Sequence, residues 1–489
     1  MIHRELDVPP AVLRQLAAHR PERYPVLLDS AADGPLSQRS VLVGFPTGAL
    51  WLDAQGRLHG EGPSAAAALA AGLEGSGSRG FLAALERWVA SEKIAVSDSG
   101  REPSWAGHRP GEPTGAPFCG GWAIFIGYEL AAEVEPRLIL PRAASPHSWQ
   151  AFALRVPCAL VHDRGSGEIH AIAEEGAAAA LDALASDAHE LAAAAGSGTA
   201  EVPSPPAVAR VIEEEASMYL ERVRRGKDYI RAGDIYQTNL SRPWRVELRG
   251  EVDIGLLYER LRSVNPAPFA ALAQWRGGAV LSSSPERLVR IAGRRVETRP
   301  IAGTRTRSRR PGEDAREAAA LAAHPKERAE HIMLIDLERN DLGRVCEAGT
   351  VSVEELMTIE SYAHVHHIVS SVTGTLRRDV TAIDVLRAVF PGGTITGCPK
   401  HRCMQIIAEL EGQGRGAYTG SLGLLGRDGS MDLNILIRTM TLAQRVIEFR
   451  AGAGIVADSD PERELEECRA KARGLLAVFG ETGRAGAAT

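Results

Sequence analysis

The sequence predicts an α+β fold, in which β-sheets are covered by helices. Short runs of β-branched and apolar residues that end at Gly, Pro or Asp predict strands along most of the chain. Longer stretches with one apolar face predict helices. Strands and helices do not alternate regularly, which argues against a parallel βαβ sheet, and the sequence contains no internal repeat.

Each element follows from its local pattern. The predicted strands are Pro25–Ser30, Ser40–Phe45, Leu50–Asp53, Ile235–Leu240, Ala279–Ser283, Arg287–Ile291, Glu297–Ile301 and Val446–Arg450. The predicted helices are the alanine-rich parts of Ala171–Ala195, then Glu214–Ala232, Ala315–Leu337, Pro399–Leu410 and Pro461–Val478. Asp460 is the expected N-cap of the last helix, with Pro461 in its first position. The glycine segments TGCPK (396–400) and AGAGI (451–455) are interpreted as turns.

Two segments rich in Ser, Gly and Pro, Ser97–Gly115 and Ala193–Ala207, predict loops or linkers. The second separates an alanine-rich front part from a back part that carries most of the motifs. We therefore expect an N-terminal region over residues 1–205, a catalytic domain over 206–480 and a flexible tail over 481–489.

Composition limits the classes of function. The 489 residues are 44% apolar and 24% charged, and the formal net charge is -6. The sequence has no basic stripe that would bind nucleic acid. No apolar stretch approaches the ~20 residues of a membrane-spanning helix. The charged N-terminus does not resemble a signal peptide, so we expect a cytoplasmic protein that acts on a small molecule. Six dispersed cysteines without a CxxC pair are expected to be reduced.

Two helices carry paired carboxylates. Glu464, Glu467 and Lys471 share one face of the last helix, and Glu327 and Glu330 share a face of an earlier one. A single pair of this kind is usually a solvated surface. If the two helices face each other across a cleft, their oxygens would suit Mg²⁺, which prefers carboxylates and keeps several waters.

Other residues have the chemistry of an anion site. Arg438 can bind a carboxylate through two parallel hydrogen bonds, and backbone N–H groups of the glycine segments can bind anions. Glu286 follows Pro285 at an interruption between strands. In a partly apolar cleft its carboxyl would have a raised pKa and could act as a general acid, although an ordinary turn glutamate is the simpler interpretation.

The histidines of AHVHHIVS suggest a metal site at first sight. In a strand, however, His364 and His366 would face one way and His367 the other. A zinc site would need further ligands that the sequence does not place nearby. A single histidine in contact with a substrate is the better interpretation.

Taken in order, these motifs resemble the chorismate-utilising family, which includes anthranilate, aminodeoxychorismate, isochorismate and salicylate synthases. The resemblance runs from about Ser217 to Val478. Its strings are DIYQTNLS, SSSPERLVR, TRPIAGTR, KERAEHIMLIDLERNDLGRV, HVHHIVSSVTG, FPGGTITGCPK, YTGSLG, MDLNILIRT and AGAGIVADSDPE. PVLLDS and GGWAIFIGYEL extend it more loosely into the front part. The resemblance implies an anthranilate synthase component I-like fold, with sheets packed as a sandwich, helices outside and the active site in a cleft.

The resemblance also implies roles for individual residues. Mg²⁺ would be held chiefly by Glu330 and Glu467, with Glu327 and Glu464 beside them, and would anchor the ring carboxylate of chorismate. Glu286 would protonate the departing ring hydroxyl. The residues implied to line the ring and leaving-group side are Gly303, Thr304 and His367. The residues implied to bind the substrate are Gln237, Tyr418, Arg438, Gly452, Ala453, Gly454 and Lys471.

Gln237 stands where the water-using members carry a lysine that activates water. Glutamine cannot act as that base, so the resemblance implies ammonia as the nucleophile. The sequence shows no amidotransferase domain, and a separate glutamine amidotransferase subunit is therefore the expected partner.

The product is the open question. QTNLS, GGTITGCPK and MDLNILIRT favour aminodeoxychorismate synthase, which supplies p-aminobenzoate for folate, and this is the expected function. The alternative is anthranilate synthase component I, which is favoured by Ala302, because many aminodeoxychorismate synthases have a nucleophilic lysine there. A non-catalytic paralogue that binds chorismate or a partner is the alternative from another class.

PVLLDS in the front part matches a segment that binds feedback tryptophan in anthranilate synthases. The residues of this possible effector pocket are Leu28, Asp29 and Ser30. Asp29 replaces the glutamate usual at its position, so tryptophan regulation is a hypothesis that the resemblance raises.

Overall fold

The computed structural model describes residues 1–34, 36–74, 80–94, 118–143, 149–194, 203–308, 310–362 and 365–480. The predicted tail and the linker Ser97–Gly115 lie outside the described residues, as does most of the linker Ala193–Ala207.

The elements follow in chain order. The helices are α1 (Ala11–His19), α2 (Pro63–Glu74), α3 (Phe81–Glu92), α4 (Ala131–Val134), α5 (Ala178–Ala194), α6 (Ala216–Arg231), α7 (Ile254–Val264), α8 (Pro311–Ala323), α9 (Pro325–Gly343), α10 (Ala382–Val389), α11 (Lys400–Glu411) and α12 (Pro461–Leu476). The strands are β1 (Ile2–Leu6), β2 (Val26–Asp29), β3 (Arg39–Gly44), β4 (Gly48–Asp53), β5 (Leu58–Glu61), β6 (Gly121–Ile126), β7 (Trp149–Val156), β8 (Cys158–Asp163), β9 (Ile169–Ala173), β10 (Val208–Glu213), β11 (Gln237–Leu248), β12 (Phe269–Trp275), β13 (Gly278–Ser284), β14 (Arg287–Ala292), β15 (Arg295–Thr298), β16 (Ile301–Thr306), β17 (Ser352–Ser361), β18 (Val365–Thr375), β19 (Gly397–Cys398), β20 (Ser421–Gly426), β21 (Met431–Asn434), β22 (Thr439–Ala443) and β23 (Val446–Ile455). Short 3₁₀ turns lie at Tyr128–Leu130, Glu175–Ala177, Gly393–Ile395 and Ala477–Phe479.

The strands form two antiparallel sheets. The first has the order β1-β9-β8-β3-β2-β12-β13-β22-β23-β11-β10, with β19 added to β11. The second has the order β16-β18-β15-β14-β21-β20-β6-β7-β4-β5, with β17 added to β18. Each sheet contains strands from both sides of residues 205 and 206. The division into an N-terminal region and a catalytic domain stays a prediction.

The two sheets pack face to face, and helices cover their outer faces. Residues such as Val43 of the first sheet and Phe152 of the second meet in one apolar cluster between the sheets. A second cluster joins the first sheet to α1, α5, α6, α7, α11 and α12, and a third joins the second sheet to α2, α3, α9 and α10. Burial of each large apolar side chain in these layers contributes about 1.5–3 kcal/mol. The expected sandwich with helices outside is confirmed.

The last helix begins as its sequence predicts. The Asp460 carboxylate accepts a hydrogen bond from the Arg463 N–H at 3.0 Å, and Pro461 occupies the first turn, where a missing N–H leaves no bond unmade. Its apolar side, which includes Leu465 and Leu475, is buried in the core. The opposite side is left for charged residues.

Three expectations were wrong in detail. The predicted helix Ala315–Leu337 is broken at His324, because Pro325 disfavours a helical residue before it, and α9 starts anew at Pro325. The predicted strand Glu297–Ile301 is two strands, β15 and β16. The segment 451–455 is no turn: it continues β23 and pairs with β11.

Within the described ranges, no helix is long and apolar enough to cross a membrane.

Candidate active site

The centre of the candidate site is an indentation on β23. Gly452 and Gly454 are two residues apart and therefore face the same side of the strand. A Cβ on Gly452 would lie 2.7 Å from the Tyr418 hydroxyl oxygen, and one on Gly454 would lie 2.5 Å from Nε2 of Gln237. Side chains at these two positions would displace both polar groups. Between them, Ala453 is fully buried and packs in the core.

Gln237, the first residue of β11, is held by one of the predicted metal ligands. Its Nε2 donates a hydrogen bond of 2.8 Å to Oε1 of Glu330. The side chain is only 3% exposed, and its Oε1 has no hydrogen-bond partner among the described residues. Because a buried acceptor without a partner costs about 1–3 kcal/mol, this oxygen is well suited to accept a hydrogen bond from a bound molecule.

Glu286 lies in the connection between β13 and β14 and is 4% exposed. The Thr394 hydroxyl donates to its Oε1 at 2.8 Å, and the Ile301 N–H also bonds the carboxylate. Burial raises the pKa of Glu286 to about 7, although both hydrogen bonds and the charges of Arg438 and Lys471 act in the opposite direction. Near neutral pH a large fraction of this carboxyl therefore keeps its proton.

Two cations lie near this acid. Arg438, whose φ of 50° is unusual for a residue with a side chain, connects β21 to β22, and its guanidinium forms no ion pair within the described part of the chain. Burial lowers its pKa, and the charge of Glu286 opposes this effect. Lys471 of α12 donates to the Gly452 carbonyl at 2.9 Å and lies 2.8 Å from Glu467. Both cations act electrostatically on Glu286, and Lys471 also contacts the indentation through Gly452.

Gly303, Thr304 and His367 meet where β16 pairs with β18. The register shifts between Ala302 and Thr304, and Thr304 then lies opposite His367. Gly303 at the bulge has φ of 70°, and a Cβ there would lie 2.9 Å from Oε2 of Glu327. His367 is buried, and burial together with the charge of Arg438 lowers its pKa to about 3. Its imidazole is therefore neutral at physiological pH.

The other histidines of this segment have different positions. His364 lies outside the described residues. His366 is buried, and its Nε2 lies 2.9 Å from Oδ1 of Asp314 while its Nδ1 lies 2.7 Å from Oγ of Ser361. These hydrogen bonds join β18 to α8 and β17. Its role is structural.

The predicted metal carboxylates flank the indentation. Oε1 of Glu330 lies 3.4 Å from the position that a Cβ on Gly454 would take. Glu467 is linked to Gly452 through Lys471, which contacts both. Glu327 lies beside Gly303, and Glu464 is buried in α12. The described residues contain no group of three or more His, Cys, Asp or Glu side chains placed to hold a metal ion. Two carboxylates and several waters are nevertheless a usual Mg²⁺ site, and the oxygen donors of Glu330 and Glu467 fit that ion.

The possible effector pocket is small. A cavity of about 40 Å³ is lined by Asp29, Ser30 and Arg262 among others. Asp29 is already bonded to Arg262 at 2.8 Å and to Ser40 at 3.0 Å. Leu28 faces the inter-sheet cluster, because neighbouring residues of β2 alternate in direction, and Leu27 lines the cavity in its place. Pockets for small organic ligands usually enclose ~300 Å³ or more, so an effector here would require Arg262 to move. This pocket stays a prediction.

Some residues of the site were not singled out from the sequence. Thr394 bonds the Glu286 carboxyl directly. Near it lies a buried charged group, formed by Glu338, Asp341 and Lys400. Thr394 lies in FPGGTITGCPK, but a hydroxyl in a loop has many ordinary uses. Only the fold shows that this one reaches Glu286.

Comparison with known proteins identifies similar chains. The sequence profile of chorismate binding enzymes matches residues 60–477. Anthranilate synthase component 1 of Streptomyces coelicolor is 40% identical over 427 residues, covering 79% of this chain and 82% of that protein. An anthranilate synthase component I-like protein of Synechocystis is 47% identical over 277 residues, 57% of each chain, so this match spans little more than half of the relative. The crystal structure of anthranilate synthase component I from Streptococcus pneumoniae superposes with a TM-score of 0.73 and 29% identity, covering 91% of this chain and 93% of that one.

These relatives bear on the expected product. The motif strings favoured aminodeoxychorismate synthase, but the relatives carry the name of the alternative, anthranilate synthase. The expectation of aminodeoxychorismate synthase is therefore not confirmed.

Proposed function

Because this chain belongs to the family of chorismate binding enzymes, we propose that it acts as an anthranilate synthase component I. In this proposal it joins ammonia to chorismate and eliminates pyruvate to give anthranilate. The observation that carries the proposal is the buried carboxyl of Glu286, which is bonded by Thr394, has a pKa raised to about 7 and lies within the electrostatic influence of Arg438 and Lys471.

The cations support a dicarboxylate substrate. Arg438 has no ion pair within the described ranges, so its planar guanidinium is available to bind a substrate carboxylate through two hydrogen bonds. Lys471 is fixed by the Gly452 carbonyl and Glu467. Chorismate carries a ring carboxylate and an enolpyruvyl carboxylate, and the two cations would hold them on either side of the ring.

The acid would act on the leaving group. Glu286 in its neutral form donates its proton to the ring hydroxyl, which departs as water, while the lone pair of ammonia forms the new C–N bond. His367, which is neutral, and the bulge at Gly303 would line this side of the ring. A proton placed on the leaving oxygen in a buried site is expected to accelerate the step by about 10²–10⁴-fold.

Gln237 supports ammonia as the nucleophile. Its Nε2 is committed to Glu330, so the oxygen is the end of the amide that faces a bound nucleophile. An amide oxygen can accept a hydrogen bond from ammonia and orient it, but it cannot remove a proton from water. The ammonia would come from a glutamine amidotransferase partner, which we propose as the second subunit.

Magnesium would be held by Glu330 and Glu467, with Glu327 and Glu464 as neighbours. When bound, the ion would supply positive charge that holds the ring carboxylate and assists departure of the ring hydroxyl. The chain's own residues orient the nucleophile and deliver the proton.

Ala302 and the names of the relatives support anthranilate as the product. Ala302 precedes the bulge at Gly303, is 6% exposed and offers no nucleophile for a covalent adduct with the ring. The Streptomyces and Streptococcus relatives are both anthranilate synthases. Aminodeoxychorismate is the second candidate product, because three motif strings resemble that enzyme.

A product assay tests the proposal. The purified chain is incubated with chorismate, Mg²⁺ and ammonium at alkaline pH, and the products are separated with and without added aminodeoxychorismate lyase. We expect fluorescent anthranilate without the lyase. Formation of p-aminobenzoate only with the lyase would show the second candidate.

The same assay separates an enzyme from a binding protein. Glu286→Gln keeps the size of the side chain and removes the acid, and it should lower turnover by about 10²–10⁴-fold. A wild-type chain that binds chorismate without product, with ammonium or with an amidotransferase supplied, would support the non-catalytic paralogue instead.

A further inference from the structure

A second buried carboxyl lies behind the acid. Glu338 of α9 is 5% exposed, and its Oε1 is 3.5 Å from the position that a Cβ on Gly393 would take. The next residue, Thr394, donates its hydroxyl hydrogen to Glu286 at 2.8 Å. The 3₁₀ turn Gly393–Ile395 therefore has one buried carboxyl on each side.

The charges around Glu338 differ from those around Glu286. Lys400 is the nearby cation, but its Nζ is already bonded to Asp341 at 2.5 Å and to the Val389 carbonyl at 3.1 Å. Burial and the charge of Asp341 raise the pKa of Glu338 to about 8, and the charge of Glu286 acts in the same direction, while Lys400 opposes them. Asp341 itself has a raised pKa because it is buried, although Lys400 and Arg344 lower it.

The charges of Arg438 and Lys471 favour the ionised form of Glu286. Without an opposing negative charge, these two cations would reduce the fraction of the acid that carries a proton. Two buried carboxylates separated by one turn repel each other, because little water screens their charges. Ionisation of one carboxyl therefore disfavours ionisation of the other.

We propose that Glu338 is a positioning residue that acts through Glu286: from behind the Gly393–Ile395 turn it opposes ionisation of the acid and so keeps the proton on it. This inference rests on the proposed function, in which Glu286 delivers that proton. Neither the motif strings nor the family resemblance assigned a role to Glu338.

The consequence is a predicted change in pH dependence. The pKa values of Glu286 and Glu338, about 7 and about 8, are close enough that both groups titrate over the same range. In that range the ionised fraction of Glu338, which grows as the pH approaches 8, disfavours ionisation of Glu286. A neutral side chain at position 338 removes this effect, so Glu286 loses its proton at a lower pH than in the wild type. Because turnover requires the protonated acid, the loss of activity with rising pH also begins at a lower pH.

The test compares Glu338→Gln with the wild type. The dependence of kcat/KM for chorismate on pH is measured with total ammonium adjusted so that free ammonia stays constant. We expect the basic limb of Glu338→Gln to move down by on the order of half a pH unit. The matched control is Asp336→Asn, which removes a carboxylate from the exposed side of the same helix, where Asp336 pairs with Arg339, and should leave the limb in place.

The outcomes separate electrostatic from structural effects. A uniform loss of kcat at every pH without movement of the limb would overturn the inference. If Glu338→Gln does not fold, Glu338→Leu fills a similar volume without the carboxyl and should give the same shift. If the wild-type chain makes no product, the proposed function fails, but the inference is still decided by infrared titration of the protonated carboxyl band, assigned through Glu286→Gln. The midpoint for Glu286 must be lower in Glu338→Gln than in the wild type.

Discussion

Replacement of Thr394 by valine should move the pH dependence of the acid in a known direction. The Thr394 hydroxyl donates to Oε1 of Glu286 at 2.8 Å, which favours the ionised carboxylate. Valine has nearly the same shape but no hydrogen to donate. In Thr394→Val the ionised carboxylate is stabilised only by the remaining interactions, which are the Ile301 N–H and the charges of Arg438 and Lys471. The pKa of Glu286 should rise above its present value of about 7.

The size of the shift follows from the strength of the lost hydrogen bond. A hydrogen bond to a charged group contributes about 1.5–3 kcal/mol. Since one pKa unit corresponds to about 1.4 kcal/mol, the pKa of Glu286 in Thr394→Val should rise by about one to two units. A group that works in its protonated form keeps activity below its pKa and loses it above. The basic limb of kcat/KM must therefore move to higher pH.

The assay is the initial rate of product formation between neutral and alkaline pH at fixed free ammonia and saturating Mg²⁺. Thr394→Ser retains the hydroxyl and serves as the matched control, so its basic limb should stay at the wild-type position. An unchanged limb in Thr394→Val would refute the assignment of Glu286 as the acid that titrates there. An equal shift in Thr394→Ser would assign the effect to loop packing instead of the hydrogen bond.

Further substitutions test other parts of the site. Gly454→Ala should lower kcat/KM by about tenfold or more, because the new Cβ would displace Gln237 and overpacking costs about 1–3 kcal/mol. Gly250→Ala is the control, since a Cβ at that position has no neighbour within 4 Å. Arg438→Lys should raise KM for chorismate by about 10- to 100-fold with a smaller effect on kcat, since a paired hydrogen bond to a carboxylate is lost. Chelation should abolish turnover, and added Mg²⁺ should restore it better than Ca²⁺. Tryptophan inhibition that is absent in Ser30→Ala would support the effector pocket, and a wild-type chain indifferent to tryptophan would end that hypothesis.

The features that the sequence predicted best are those with strong local causes. The start of α12 was correct because Asp460 and Pro461 satisfy the free N–H groups of a helix start without help from the rest of the fold. Burial and a raised pKa were one of two interpretations of Glu286, and the fold agrees with that one, while its role as the acid stays a prediction. Its partner Thr394 is more than a hundred residues away, and only the packing of the 3₁₀ turn brings the two together.

The segment 451–455 was misinterpreted because glycine is ambiguous. Its glycines permit a turn, but they are equally suited to a strand on which other groups must approach the backbone. Here β11 pairs with β23 along its whole length, and the missing side chains of Gly452 and Gly454 make room for Tyr418 and Gln237. The register that creates this room depends on a pairing between residues about 215 positions apart, which no local pattern encodes.

The product prediction was not confirmed, and the motif strings behind it were ambiguous for a related reason. The strings that favoured aminodeoxychorismate synthase contain Gln237, Thr394 and Arg438 of the candidate site, but they also contain residues that support the fold. Ser241, in QTNLS, is fully buried and donates through both its N–H and its hydroxyl to Glu411. Asn434, in MDLNILIRT, joins the Phe269 carbonyl to the Leu422 N–H. Such residues are selected by packing and hydrogen bonding inside the protein, so their identity says little about the product.

Ala302 has a different position. It is the last residue before the bulge that turns Gly303 toward Glu327, and it follows Ile301, whose N–H holds the acid. Position 302 is therefore flanked by two residues of the candidate site, whereas the side chains of Ser241 and Asn434 are committed to Glu411 and to backbone partners. A residue beside the candidate site constrains the product more than residues that hold the sheet together. Gln237, Thr394 and Arg438 of the motif strings meet this criterion as well as Ala302. Ala302 therefore supports the proposed anthranilate product, and aminodeoxychorismate remains the second candidate.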